Sequence, residues 1–275
     1  VTTYTPGSAG QRGAAPGAQY WPARGQASGA IGLLHGIKSS SRTWWRVGPE
    51  LAARGWDVTA LDLAGHGDGP RPTGPLDLAT LAQAAGTALP AGLRVLVGHS
   101  LGAIVALACA SRQPALAQGL FLLEPPGPGG VSTVALANSI ETEAAAAARD
   151  PEGYRQLVQA VHPSWSGPDV DSVVASVQAM DAAAVAQALR GALRWDLGEL
   201  VRSAPVPVFV AAATGEGTAL RGPDRELLQS LLAPGRFVVL EGGHSLQREQ
   251  PEQVARLISD FARSLAPAPA PVGEQ

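Results

Sequence analysis

Short apolar runs bounded by glycine and proline recur along the chain: Ala30 to Leu34, Asp57 to Leu61, Leu93 to Val97, Gly119 to Leu123, Val206 to Ala211 and Arg236 to Leu240. They lack polar alternation, which marks strands covered on both faces, so each predicts a buried strand. Between them lie Ala- and Leu-rich stretches of helical length, among them Leu76 to Ala88, Leu101 to Arg112 and Pro223 to Leu232. Strands alternating with helices imply right-handed crossovers, and so an α/β fold with a mostly parallel central sheet flanked by helices.

The alternation stops between Gly127 and Val201. Four helical stretches follow one another there, Thr133 to Arg149, Pro151 to Val161, Pro168 to Met180 and Ala182 to Trp195, with no strand between them. They predict a helical lid over 127–200, inserted after the strand that follows the helix Leu101 to Arg112, into a core formed by 30–126 and 201–264. Ahead of the core, 1–29 is an extended, Gly-, Ala- and Pro-rich lead-in in which Gln19 to Trp21 reads as one short strand. Behind it, 265–275 alternates Pro and Ala, which cannot continue a helix and predicts a flexible tail.

Composition narrows the function classes. Hydrophobic residues make up 45% of the 275 and charged residues 16%, enough apolar material for a large core and too little charge for a disordered chain. The net charge is -3, and the basic residues are scattered arginines apart from Lys38, the only lysine. That excludes a clustered nucleic-acid footprint and a polybasic membrane anchor. No apolar stretch is long enough to span a bilayer, and Val1 to Arg12 shows no basic segment followed by an apolar one, so the expectation is a soluble, cytoplasmic protein. Cys109 is alone in an apolar run, which rules out an intrachain disulfide and reads as a small buried hydrophobe. The Ala-rich helices leave a homodimer open.

The central chemical signal is Gly98-His99-Ser100-Leu101-Gly102, preceded by an apolar strand and followed by a helix. The two glycines let the chain turn so tightly that Ser100 is presented at the strand end, on the first helical turn. After another strand, His35-Gly36-Ile37 allows the backbone to fold back towards the serine. The amides of Ile37 and Leu101 then form an oxyanion hole, where one donor is commonly worth roughly 3 kcal/mol. Asp62, His66 and Asp68 sit in a Gly-rich stretch that reads as a turn. Near the end, Glu241-Gly242-Gly243-His244 places a histidine on a loop after the last strand, as a general base requires. His162 falls in the lid, His35 and His66 abut turn glycines, and His99 points sideways beside the nucleophile, which leaves His244 as the base.

The order of strand, His-Gly, Gly-His-Gly, Gly-His-Ser-Leu-Gly, helical insertion, strand and Gly-Gly-His resembles the α/β-hydrolase superfamily over about residues 30 to 264. The resemblance implies a sheet of eight strands or slightly fewer, Ser100 as nucleophile and His244 as base, with no cofactor and no metal. The third triad member departs from the common pattern. Most relatives carry an aspartate after the strand preceding the histidine strand, where this chain offers only Glu216. A minority place the acid after the strand following the nucleophile helix, where Glu124 stands before Pro125 and Pro126. Glu124 is the choice here and Glu216 the alternative; Asp224 fits a helix start instead.

Trp165 and Trp195 are pocket candidates in the lid, against a reading as lid core, and Ser39 to Ser41 suit a helix N-cap ahead of Trp44 and Trp45. The expected activity is hydrolysis of an ester or lactone of a small to medium hydrophobic molecule by a Ser-His-Glu triad. The alternatives are carbon–carbon bond hydrolysis of a ketone and a low-turnover ligand receptor on the same fold.

Overall fold

The computed structural model describes residues 17–127, 133–191, 193–215 and 217–266. Seven strands form one sheet: β1 (Ala18–Trp21), β2 (Ala30–Leu34), β3 (Asp57–Leu61), β4 (Val95–His99), β5 (Leu120–Leu123), β6 (Val208–Ala213) and β7 (Phe237–Leu240). Their order is β1-β3-β2-β4-β5-β6-β7, parallel except for β1, which pairs antiparallel with β3 at the edge. Part of the lead-in is therefore sheet, with Tyr20 opposite Thr59. Glu216, 1–16 and most of the tail lie outside the described residues.

The direction of each crossover decides which face its helix covers. The step from β2 to β3 runs one way along the sheet and every later step runs the other, so right-handed crossovers put the first helix opposite the rest. Accordingly α1 (Val47–Ala53) shares its face with the last long helix, while α2 (Leu78–Ala88) and α3 (Leu101–Arg112) pack together on the other. Two cores follow. One sets Trp44, Trp56, Phe121, Ile258 and Phe261 beneath β2 to β6; the other sets Leu81, Leu96, Ile104, Leu107 and Leu122 above them. Cys109 is fully buried in the second, and burial pushes its thiol up to about 12.

Between β5 and β6 come α4 (Thr133–Arg149), α5 (Pro151–Val161), α6 (Gly167–Ala179), α7 (Ala182–Arg190) and α8 (Leu197–Arg202). After β6 come α9 (Gly222–Leu231), the short α10 (Leu246–Glu249) and α11 (Pro251–Ser264). The helices between β5 and β6 are not a separate body. Ala137, Ile140, Val185 and Leu189 join the sheet's upper core, whereas Tyr154, Val158, Trp165, Val174 and Val177 form a small core of their own. Among the described residues no single helix is long and apolar enough to cross a membrane.

Candidate active site

Ile37, Ser100, Glu124 and His244 lie just past the carboxyl ends of β2, β4, β5 and β7. Gly98 and Gly102 explain the sharpness of the turn between β4 and α3. A Cβ on Gly98 would stand 2.2 Å from Gly102 O, and one on Gly102 2.4 Å from Leu34 O. Only hydrogen fits between strand, helix and the neighbouring strand. The turn forces Ser100 to φ 53°, ψ -121°, and its hydroxyl makes no capping bond to α3, so Oγ stays free for chemistry. As the first residue of α3, Leu101 has an amide without an intrahelical acceptor, pointing to the same end.

Three non-glycine residues among those described have positive φ: Lys38, Ser100 and Glu124. Each lies just past a central strand, β2, β4 or β5. Such backbone costs about 1–3 kcal/mol per residue and persists only where the surroundings enforce it, so local strain is concentrated in this one region.

The loop after β2 passes close to Ser100. A Cβ on Gly36 would sit 2.9 Å from Ser100 Cβ, and Ile37 next to it lines the cavity above Ser100. His35 keeps this loop in place from below: its Nδ1–H donates to Gly36 O at 2.7 Å and its Nε2 accepts from Leu63 N at 2.9 Å. Both ring nitrogens are used in the neutral form, and burial pushes its pKa down to about 4. Asp62 is likewise structural, with Oδ1 accepting from Ser41 N at 2.5 Å and Oδ2 from Asp68 N at 2.8 Å. Asp62 and Asp68 are joined within this turn, and His66 N donates to Leu63 O at 2.9 Å.

Glu124 is fully buried. Its Oε1 accepts from Ala213 N at 2.7 Å and its Oε2 from Ala219 N at 2.8 Å, so both oxygens are clamped by backbone amides around the end of β6. Oε2 also accepts from His244 Nδ1 at 3.1 Å. That contact orients the ring and, in the neutral form, places the proton on Nδ1 and leaves Nε2 as the acceptor. His244 and Ser100 line the same cavity, while no hydrogen bond joins their side chains among the described residues, a common state for catalytic groups before substrate binds.

The cavity, about 360 Å³, is walled by Ile37, Leu157, Val158, Val161, Trp165 and Val173. Trp165 lies in it, stacked on His162 at 3.7 Å between ring centres. Trp195 does not line it; its indole N–H donates to Pro126 O at 2.8 Å, which ties the segment before α8 to the end of β5 and removes this residue from the pocket candidates. The serine run does not cap a helix through its hydroxyls. Ser40 Oγ pairs instead with Ser176 Oγ of α6 at 2.7 Å, and Trp45 Nε1–H donates to Asp169.

The sequence reading missed a polar cluster on the cavity wall. Glu143 accepts from Lys38 Nζ at 2.8 Å, Ser139 Oγ at 2.5 Å and Tyr154 Oη at 2.7 Å. Burial raises the Glu143 pKa, but Lys38 and the hydroxyls outweigh it and hold the carboxyl below its usual range. Two signals pointed there: Lys38 is the only lysine, and Tyr154, Leu157, Val158 and Val161 fall at helical spacing on α5.

Comparisons with known proteins agree with this architecture. The family model described as "Alpha/beta hydrolase family" matches residues 33–257. A pimeloyl-[acyl-carrier protein] methyl ester esterase of Neisseria meningitidis is 30% identical over 244 residues, covering 83% of this chain and 91% of that protein. Among solved structures, E-2-(acetamidomethylene)succinate hydrolase aligns over 90% of this chain and 94% of its own, with TM-score 0.71 and 20% identity. An esterase from Thermogutta terrifontis aligns over 90% and 93%, with TM-score 0.70 and 20% identity. The chain belongs to the alpha/beta hydrolase family.

Proposed function

We propose that this chain is a serine hydrolase of the carboxylic ester type, with Ser100 as nucleophile, His244 as general base and Glu124 as the acid that orients it. The observation that carries this is the pair of a fully buried, doubly clamped Glu124 and His244 Nδ1 at 3.1 Å, opening on the cavity that Ser100 lines. Ser100 Oγ attacks the ester carbonyl as His244 Nε2 takes its proton, and the amides of Leu101 and Ile37 stabilise the oxyanion. His244 then protonates the departing alkoxide. Water, deprotonated by the same imidazole, releases the acid from Ser100.

The substrate class follows from the walls. Leu157 and Val161 border the cavity yet remain more than half exposed, giving it an apolar mouth, while helices α4 to α7 act as its lid. An acyl chain fits such a slot. The relative's methyl ester substrate supports an ester in place of a lactone. No metal or organic cofactor takes part in this reading, and the partner is a small hydrophobic molecule.

The test is covalent labelling by a fluorophosphonate together with turnover of p-nitrophenyl esters of increasing acyl length. Wild type labels and turns over, and Ser100→Ala and His244→Ala do neither. Labelling that survives in Ser100→Ala overturns the assignment. Cleavage of a vinylogous diketone without ester turnover would instead indicate carbon–carbon hydrolysis.

A further inference from the structure

His99 precedes the nucleophile and lines the same cavity, but both of its ring nitrogens are turned to other partners. Its Nε2–H donates to the backbone carbonyl of His244 at 2.8 Å, and its Nδ1 accepts from Gln247 Nε2 at 3.3 Å. The same Gln247 amide donates to Thr43 Oγ1 at 3.2 Å. Both nitrogens of His99 are therefore committed, and the ring cannot serve as a second base. On its other side lies the oxyanion loop, close enough that a Cβ on Gly36 would stand 2.9 Å from His99 Nδ1. One buried imidazole thus touches the nucleophile turn, the loop over it and the loop carrying the base.

We propose that His99 is a positioning residue that holds the His244 main chain, and so the base, at its working distance from Ser100. The Gly242-Gly243 stretch needs such a tether. Gly242 has φ 132°, and the stretch is held by Gly243 N, which donates to Glu249 Oε2 at 2.6 Å, and by Gly242 O, which accepts from Gly215 N at 2.7 Å, while the carbonyl of His244 itself is held by His99. His99 supplies the connection from the rigid side, since β4 and α3 fix its backbone in the centre of the sheet. Burial, and next the neighbouring His244, hold the His99 pKa well below the ordinary histidine value. The ring stays neutral and adds no positive charge beside the base, whose ring centre is 4.8 Å away. Gln247 reinforces the arrangement by fixing the tautomer, with Thr43 holding the amide from the far side.

The inference rests on the Ser100–His244–Glu124 reading, and the experiment separates the two. His99→Leu, His99→Gln and Gln247→Leu are compared with wild type and Ser100→Ala for kcat, KM, the pH profile of kcat/KM and thermal midpoint. A misplaced base affects the chemical step: His99→Leu is expected to lower kcat by about 10- to 100-fold with KM nearly unchanged, because a displacement of about 1 Å costs that much. His99→Gln, whose terminal amide can still donate to the carbonyl, recovers much of the rate, and Gln247→Leu falls between. A lower thermal midpoint with kcat of the folded enzyme unchanged would reduce His99 to packing and overturn the proposal. Full activity in Ser100→Ala would remove the triad reading itself, whatever His99 does.

Discussion

Glu124 carries two demands on one side chain: it orients His244 and it satisfies the amides of Ala213 and Ala219. A glutamine there has one oxygen for three donors and turns its NH2 group against one of them. Glu124→Gln should therefore lower kcat by about 10³- to 10⁴-fold, the loss seen when a triad acid stops holding the correct tautomer. It should also destabilise the fold by about 1–3 kcal/mol, the cost of an unsatisfied buried donor. Steady-state kinetics and urea unfolding read the two separately; a rate within a few-fold of wild type would remove Glu124 from the triad, and a large loss in Glu216→Gln would transfer the role. The place of Glu124 at a strand end was legible because the strand pattern of Phe121 to Leu123 is strong, and its carboxylate had nowhere else on that strand to be. Its amide clamp was not legible, since Ala213 and Ala219 donate through backbone that no side-chain pattern records. His99 was illegible for a related reason: its partner is a carbonyl 145 residues away, reached only once the sheet is assembled.

Elements were legible where local pattern and pairing agree. The spans of β2, β3, α3, α4 and α5 coincide with their apolar runs, but β4 is shifted by two residues, starting at Val95 in place of Leu93 and running to His99, because Gly98 and His99 continue the ladder opposite Leu122 and Leu123. β6 likewise begins after Pro207, which has no N–H to donate, and runs on to Ala213. The predicted helix to Trp195 stops at Arg190 before Gly191, and α8 lies beyond it. The turn at Ser100 is fixed by exclusion of volume, so Gly102→Ala should destabilise by about 1–3 kcal/mol or more, through its contact with the immobile carbonyl of Leu34. An unchanged urea midpoint would show that α3 can retreat from β2. A second prediction concerns α6, which is pinned to α10, just after His244, by an ion cluster around the buried Asp169. Asp169 pairs with Arg46 at 2.5 Å and with Arg248 at 3.6 Å, while Arg248 also donates to Asp169 O and Ser172 Oγ. Asp169→Ala leaves the Arg248 guanidinium buried without its counter-charge, and removing one partner of such a pair costs about 3–5 kcal/mol. Calorimetry reads it, and a loss under about 1 kcal/mol would show that Arg248 does not depend on the Asp169 charge.

On the scale of the whole molecule, packing the site against the sheet buries histidines in neutral form, and this ties folding to pH. Burial holds His35 at about 4 and His66 at about 3, against an ordinary value of 6.5 in the unfolded chain. His99 is lowered by the same cause. Below pH 6.5 the unfolded chain takes up these protons and the folded one does not, so the stabilisation is complete above that pH and is lost as pH falls towards the folded values. Protonating His35 would require its Nε2 to stop accepting from Leu63 N, and His66 Nε2 is buried with no partner to receive a new donor. With each pKa unit worth about 1.4 kcal/mol, His35 alone accounts for about 3 kcal/mol between neutral pH and its folded value. The unfolding free energy in urea should thus fall steadily from about pH 6.5 to about pH 4.5, by more than one proton's dependence. In His35→Gln, which binds no proton in either state, the slope should drop by one proton while the absolute stability also falls for want of the Leu63 and Gly36 contacts. A wild-type free energy that is flat across this range would mean that these rings already carry protons in the folded chain. The loop over Ser100 would then be held by something other than a neutral His35.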